Sequence, residues 1–277
     1  MASFTDASPS TTMPTVKQLS DPNATADIFM VESEDETKLT DEVIAAVKES
    51  EEWTQRTEYE PSRFTFVRFV RGNKGNVARA VEEFTKMLKF RREEKVHEAG
   101  PDKYPLFCAR ADPAYVYSGL DSNGRPVIDV YAAKHDKNDR DIEEFKAFVI
   151  HTFESCTADA LPDDRLCFRF HMEGFSVFKN MDYECVKVLV GILQNYYPET
   201  LHRAVIIEAP FVFSACWTII KPWLDPVTVS KVAFIRRSVA ENDIKAVTPP
   251  PNNHPNPMTI GRKEPAATDD VAPSAST

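Results

Sequence analysis

The sequence predicts an α/β fold in which an N-terminal helical lobe precedes an α/β lobe built on a mixed sheet. Three features predict it. Apolar residues recur at helical spacing early in the chain, from Leu39 to Phe90. Farther on, short β-branched runs alternate with longer amphipathic stretches, and strands joined by crossover helices pair in parallel. Between two of those runs lies Asp121-Ser122-Asn123-Gly124, a hairpin signal that adds one antiparallel pair.

Residues 1–35 are rich in Ser, Thr, Pro and Asp. They carry one basic residue, Lys17, against six acidic ones and have no hydrophobic period, so a disordered acidic arm is expected. The helical lobe is expected over 36–100. Leu39, Val43, Ala46 and Val47 define a first helix with Thr40 as a partial cap. Phe64, Val67, Phe69 and Val70 define a second, after Pro61-Ser62. The breaker Gly72-Asn73-Lys74-Gly75 precedes a strongly amphipathic helix from Val77, carrying Val81, Phe84, Leu88 and Phe90. The α/β lobe is expected over 101–245. Its hairpin strands hold Tyr115, Val116 and Tyr117, then residues 127–131. A helix over 141–156 uses Ile142, Phe145, Phe148, Val149 and Phe153. Strand 166–172 follows, then a helix over 181–197 using Val186, Leu189, Val190 and Leu193. Strand 204–208, an apolar helix over 211–220, a short helix opened by Asp225-Pro226 and strand 232–235 complete the lobe. Residues 246–277 read as a flexible Pro-rich tail.

Composition narrows the function. The 277 residues are 42% hydrophobic, enough for a packed core, and the formal net charge of −10 argues against a nucleic-acid binder. The five cysteines are widely spaced without a CxxC pair, as expected of reduced thiols in a cytoplasmic protein. The opening residues have neither the basic nor the apolar region of a signal peptide. The most apolar stretch, 204–220, is interrupted by Glu208 and Pro210 and is too short to span a bilayer, so membrane contact is expected to be peripheral.

Catalytic signatures are missing: there is no GxSxG, HExxH, P-loop or GxGxxG, and no pair of histidines at helical ligand spacing. No enzyme activity, metal or cofactor is therefore expected. Between Arg63 and Lys95 ten basic residues face four acidic ones, which reads either as a solvated, internally paired helix surface or as a lobe drawn to anionic lipid. The apolar segment 211–220, set between Pro210 and Lys221-Pro222-Trp223, is either a core helix or the cover of a greasy pocket. Asp225 suits an N-cap and Pro226 the first helical position, which leaves Thr228 with a free amide and hydroxyl and Lys231 on the same face. A capped surface helix and an anion site both fit that pattern.

Several stretches together resemble one family. They are Arg68-Phe69-Val70-Arg71, Asp121-Ser122-Asn123-Gly124-Arg125-Pro126-Val127, Tyr196-Tyr197-Pro198-Glu199, Ile206-Ile207-Glu208-Ala209-Pro210 and the run from Ile219 through Lys231. In this order, over roughly 60–237, the chain resembles the CRAL-TRIO lipid-binding family. The resemblance implies a sheet-floored hydrophobic lipid pocket closed by a gate helix around 211–224. It implies a phosphatidylinositol headgroup held by Lys74, Glu199, Thr228 and Lys231. Pocket and gate would use Tyr117, Leu166, Phe168, Phe170, Met172, Phe211, Phe213, Trp217 and Ile220. Asn73 and Thr200 stand where phosphatidylinositol-binding members have arginine. Leu166, Phe168 and Ile128 replace the polar residues that receive phosphatidylcholine, which argues against that lipid as second ligand. On strand parity, Cys167, Arg169, His171 and Glu173 take the face opposite the pocket, with no role assigned.

The function implied is a monomeric, cytoplasmic transfer protein that extracts phosphatidylinositol, and a second hydrophobic lipid, during transient contact with anionic membranes. The alternatives are a carrier or sensor of a sterol, tocopherol, retinoid or haem, and a scaffold module for a signalling partner.

Overall fold

The structure, a computed structural model, describes residues 31–109, 114–159, 165–238 and 244. The first thirty residues of the expected acidic arm and the expected tail at 246–277 lie outside them.

The helical lobe begins earlier than its apolar period suggests. Helix α1, Glu34–Lys48, starts inside the segment expected to be disordered. Ser33 is its N-cap, and Ser33 and Glu36 exchange side-chain and backbone bonds in a complete capping box. Thr40, expected to cap, is instead buried in the second turn of the helix. Helices α2 (Glu51–Thr54), α3 (Arg63–Gly72) and α4 (Val77–Glu93) follow, each opened by a capping Ser or Asn at positions 50, 62 and 76. Their core joins Val43, Val47, Phe66, Phe69, Val70, Phe84 and Leu88, with Phe66 and Phe84 stacked at 4.2 Å. Two 3-10 turns and the short helix α5, Pro105–Cys108, lead to the sheet.

The sheet has five strands in chain order: β1 (Tyr115–Leu120), β2 (Pro126–Tyr131), β3 (Leu166–His171), β4 (Leu201–Ile207) and β5 (Val232–Ile235). β1 and β2 pair antiparallel across the expected turn, where Asp121 accepts the amides of Asn123 and Arg125 and Gly124 takes φ 79°. β2 to β5 run parallel, joined by α6 (Ile142–Asp159), by α7 (Val177–Asn180) with α8 (Tyr183–Tyr196), and by α9 (Phe213–Ile220) with α10 (Pro226–Ser230).

Parity divides the sheet. Ile128, Val130, Phe168, Phe170, Ala204 and Ile206 line an internal cavity on one face. On the other, Val127, Cys167, Val205, Ile207 and Ile244 pack together. The role of the polar residues on this reverse face is now visible. Asp129 accepts two bonds from Arg169 (2.7 and 2.6 Å), one from His171 (2.7 Å) and one from the Ser118 hydroxyl. Arg169 also donates to the Ile244 carbonyl at 3.2 Å, and the ring of Tyr131 stacks on His171. A buried charge needs such pairing to be tolerated.

The lobes are joined by Phe90 stacked on Tyr196 at 3.6 Å and by a bidentate ion pair between Arg91 and Glu154. Glu154 also accepts from the buried Tyr197 hydroxyl, and the Arg91 guanidinium lies over Tyr59.

Candidate functional site

The sheet, α6, α8 and α9 enclose a cavity of about 220 Å³ with an almost wholly apolar lining. Each wall follows from sequence period. On α6, Phe145, Phe148, Val149, Thr152 and Phe153 recur three and four apart and all border the cavity. On α8, Cys185, Val186, Leu189, Val190 and Leu193 do the same. These two faces were legible as apolar stripes, but nothing in the sequence told a cavity wall from a packed core.

Of the expected pocket and gate residues, Phe168, Phe170, Met172, Phe213, Trp217 and Ile220 border the cavity. Tyr117 and Leu166 do not. Both are buried in the adjoining core, with Phe90, Tyr197 and Leu201 among its members, and the register shifts between Leu166 and Cys167 as β3 enters the sheet. Phe211 does not border it either. Helix α9 starts at Phe213 rather than 211, and Phe211 lies in the preceding turn, 92% exposed.

Helix α9, expected to be the gate, lies along one side of the cavity. Phe213, Cys216 and Ile220 are buried inward, while Ser214, Thr218 and Ile219 face outward. Glu208-Ala209-Pro210 precedes this helix, and Lys221–Trp223 ends it in a 3-10 turn. Trp217 and Phe213 rest on Phe234 of β5, and Trp223 sits against Tyr183 and Lys187 of α8. Phe211, Val212, Ile219, Val227 and Phe234 are exposed large apolar residues in or beside this helix and its succeeding helix and strand.

The expected headgroup residues fall at one end of the molecule. Pro198 ends α8, and Glu199 turns the chain at φ 56° into β4. Lys231 ends α10, and its Nζ meets Glu199 Oε2 at 2.8 Å, both side chains largely buried at 13% and 20% exposed. Thr228 borders the cavity one turn before Lys231. Lys74 stands exposed at φ 54° in the α3–α4 turn. That turn lies close to Pro198, since a Cβ on Gly72 would come within 3.2 Å of the proline side chain. Arg68 fixes the approach by donating to the Thr200 hydroxyl at 3.0 Å. Lys231 and Glu199 thus touch, Thr228 adjoins them, and Lys74 stays in solvent without contacting them. Lys74 and Glu199 share a positive φ with Lys95 and Glu208 among the described non-glycine residues.

The amide and hydroxyl of Thr228, read from the sequence as free, are both bonded to Asp225. The start of α10 is not vacant for an anion. Asp225 accepts the amides of Val227 and Thr228 at 2.8 and 2.9 Å and the Thr228 hydroxyl at 2.5 Å. Burial would raise the Asp225 carboxyl, but the Thr228 hydroxyl and the two amides hold it below its ordinary value. Arg125, Arg165, Arg203 and Lys231 all lie near His202, by the starts of the parallel strands. Burial first, then these four cations, push His202 down to about 2, so its ring stays neutral.

The basic stretch from Arg63 to Lys95 is mostly spent within the lobe and its contacts. Arg63 pairs with Glu32 and Asp41, Arg71 with Glu36, Lys86 with Glu82 and Glu83, Arg91 with Glu154, and Arg92 with Glu52. A cluster of His135, Asp182 and Cys185 borders the cavity with ligand atoms within 4.8 Å of one another. Its groups are engaged, however. Asp182 caps α8 and pairs with Arg140 at 2.8 Å, and burial with the nearby Asp182 pushes the Cys185 thiol far up. The set does not fit a metal without displacing Arg140. Among the described residues, no helix is long and apolar enough to cross a membrane.

A family model described as the CRAL/TRIO domain matches residues 112–252. The chain is 32% identical to a CRAL-TRIO domain-containing protein of Schizosaccharomyces pombe, over 72% of this chain and 47% of that one. It is 29% identical to the phosphatidylinositol transfer protein CSR1 of Eremothecium gossypii (72% and 48%) and 29% identical to the SEC14 cytosolic factor of Candida glabrata (69% and 68%). The chain thus spans about half the length of the first two relatives. The crystal structure of Sfh5 superposes with a TM-score of 0.61 at 19% identity, covering 78% of this chain and 85% of that one, which establishes likeness of fold.

Proposed function

The chain belongs to the CRAL/TRIO family, and from that premise we propose that it binds and transfers single lipids, phosphatidylinositol among them, between cytosolic membrane surfaces, without acting as an enzyme. One observation carries the reading: the apolar cavity under α9 is bordered by Thr228, one turn from the partly buried Lys231–Glu199 pair. A hydrocarbon interior with an ionic rim suits a molecule that is greasy along its length and anionic at one end. Each buried CH₂ contributes about 0.8 kcal/mol. The rim selects more than it stabilises, because desolvating ions offsets their attraction.

In this mechanism α9 lifts about its proline-marked ends and the tails enter beneath it. Lys231 turns from Glu199 to the phosphate, Glu199 accepts inositol hydroxyls, Lys74 closes from the facing turn, and Thr228 lines the neck. Exposed Phe211, Val212 and Ile219 bring the cover to the bilayer as a peripheral contact. Most cations of the helical lobe are already paired, so the apolar patch supports docking more than that lobe does. A monomer suffices for these steps, and a second hydrophobic ligand would use the same cavity.

The test is Lys231→Ala combined with Glu199→Ala, assayed for phosphatidylinositol transfer between vesicles alongside circular dichroism. Transfer is expected to fall to background with the melting curve preserved. Undiminished transfer in the folded double variant would remove the headgroup assignment.

A further inference from the structure

Thr152 is the polar anomaly of the cavity. It sits on α6 among Phe145, Phe148, Val149 and Phe153, borders the cavity, and is 4% exposed. Its hydroxyl is buried and has no hydrogen-bond partner. A helical threonine usually donates to the carbonyl one turn back. Thr40 of α1 also lacks a partner, but it lies in the helical-lobe core and does not border this cavity, whereas three other helical threonines follow the rule. Thr37 donates to Ser33, Thr85 to Val81 and Thr218 to Ser214, each at 3.0 Å.

The other polar groups on the wall are engaged. Asn180 donates to the carbonyls of Ala133 and His135 and accepts from the Ser176 amide. Asp182 is held by Arg140 and the first amides of α8, His135 faces Asp182, and Thr228 donates to Asp225. An unmade hydrogen bond at a buried hydroxyl is costly, and valine would fill the same volume without that cost.

We propose that Thr152 is the hydrogen-bonding anchor for a guest that is hydrocarbon except for one oxygen, either a hydroxyl or a carbonyl, seated inside the cavity. The proposal rests on the lipid-pocket reading above and sharpens it by naming the chemistry of the guest. Two sources share that chemistry: a monohydroxy hydrophobe, and the ester carbonyl of a diacyl phospholipid.

The experiment uses the full chain and Thr152→Val. N-phenyl-1-naphthylamine is displaced from each protein by hexadecan-1-ol and by heptadecane, and binding of diacyl and dialkyl-ether phosphatidylinositol is compared in parallel. The wild type should prefer the alcohol over the alkane by about fivefold relative to Thr152→Val, the worth of one net hydrogen bond. Thr152→Ser should retain that preference. Ligand-free Thr152→Val should melt no lower than the wild type, because a structural hydroxyl would lower the melting point and this one has nothing to hold. A loss confined to the diacyl lipid, with the ether lipid unaffected, supports the anchor and identifies the ester as its partner. Equal preferences in wild type and variant for both pairs of probes would overturn the anchor while leaving the pocket intact. If no hydrophobe displaces the dye from the wild type, the lipid-pocket reading falls as well.

Discussion

Asp129 shows how one buried carboxylate is made tolerable. It is 2% exposed, and burial alone would raise its pKa, but the bonds from His171, Arg169 and Ser118 hold it at about 2. The folded value lies below the unfolded one of about 3.9, so the folded state binds fewer protons in acid. The resulting stability, about 2 kcal/mol, is complete above pH ~5 and is lost as pH falls from ~4 to ~2. Urea midpoints measured across that window should fall steeply for the wild type. Asp129→Asn should be less stable by about 3 kcal/mol at pH 7, because Arg169 loses its counter-charge, and its midpoints should fall less steeply in acid. Glu199 makes the complementary case. Its φ of 56° favours glycine by about 1 kcal/mol, but Glu199→Gly also strands the largely buried Lys231, so it should lower the melting temperature and weaken phosphatidylinositol selectivity in a lipid-competition assay. A higher melting temperature would show that the strain outweighs the Lys231 pair.

The residues of helix α9 divide by side. Phe213, Cys216 and Ile220 are buried, with Phe213 and Ile220 bordering the cavity, while the outward side chains meet solvent. Phe211 and Ile219 lie outside any core, so placing them in a bilayer interface gains apolar burial at no cost to folding, about 1.5–3 kcal/mol for each side chain fully buried. Phe211→Asp with Ile219→Asp should therefore weaken binding to phosphatidylcholine vesicles by tenfold or more in a flotation assay and leave the melting curve unchanged. Unaltered binding would move the docking surface elsewhere. The elements themselves were mostly legible. The hairpin, β3, β5 and the helices around Phe148 and Leu189 follow local period and turn chemistry, which do not depend on distant contacts. The start of α1 was missed because its capping box precedes the first apolar residue of the period.

At the scale of the molecule, charge is organised by tertiary pairing. The chain's net charge is −10, and the cations of the helical lobe find carboxylates as distant in sequence as Glu154. Vesicle binding should therefore depend weakly on salt, changing less than about threefold between low and high NaCl on anionic vesicles. A steep salt dependence would restore the basic lobe as the docking element. Joining the lobes falls to Arg91 and Glu154 with Phe90 and Tyr196. Arg91→Ala should cost about 3 kcal/mol in urea unfolding, because it leaves the Glu154 carboxylate without its counter-charge, held by the Tyr197 hydroxyl alone.

Pattern and turn chemistry in the chain by themselves determined the order of helices and strands, the parity that sets Phe168 and Phe170 opposite Arg169 and His171, and the family likeness. Those properties are local, or repeat with a fixed period. Whether the apolar stripes of α6 and α8 meet a solid core or a hollow was decided only by the folded arrangement. So were the seat of Asp129 and the pairing of Arg63, Arg71, Arg91 and Arg92 with carboxylates of other segments. Each depends on which side chains arrive from distant segments and how much space they leave between them, and no window of sequence contains that distance.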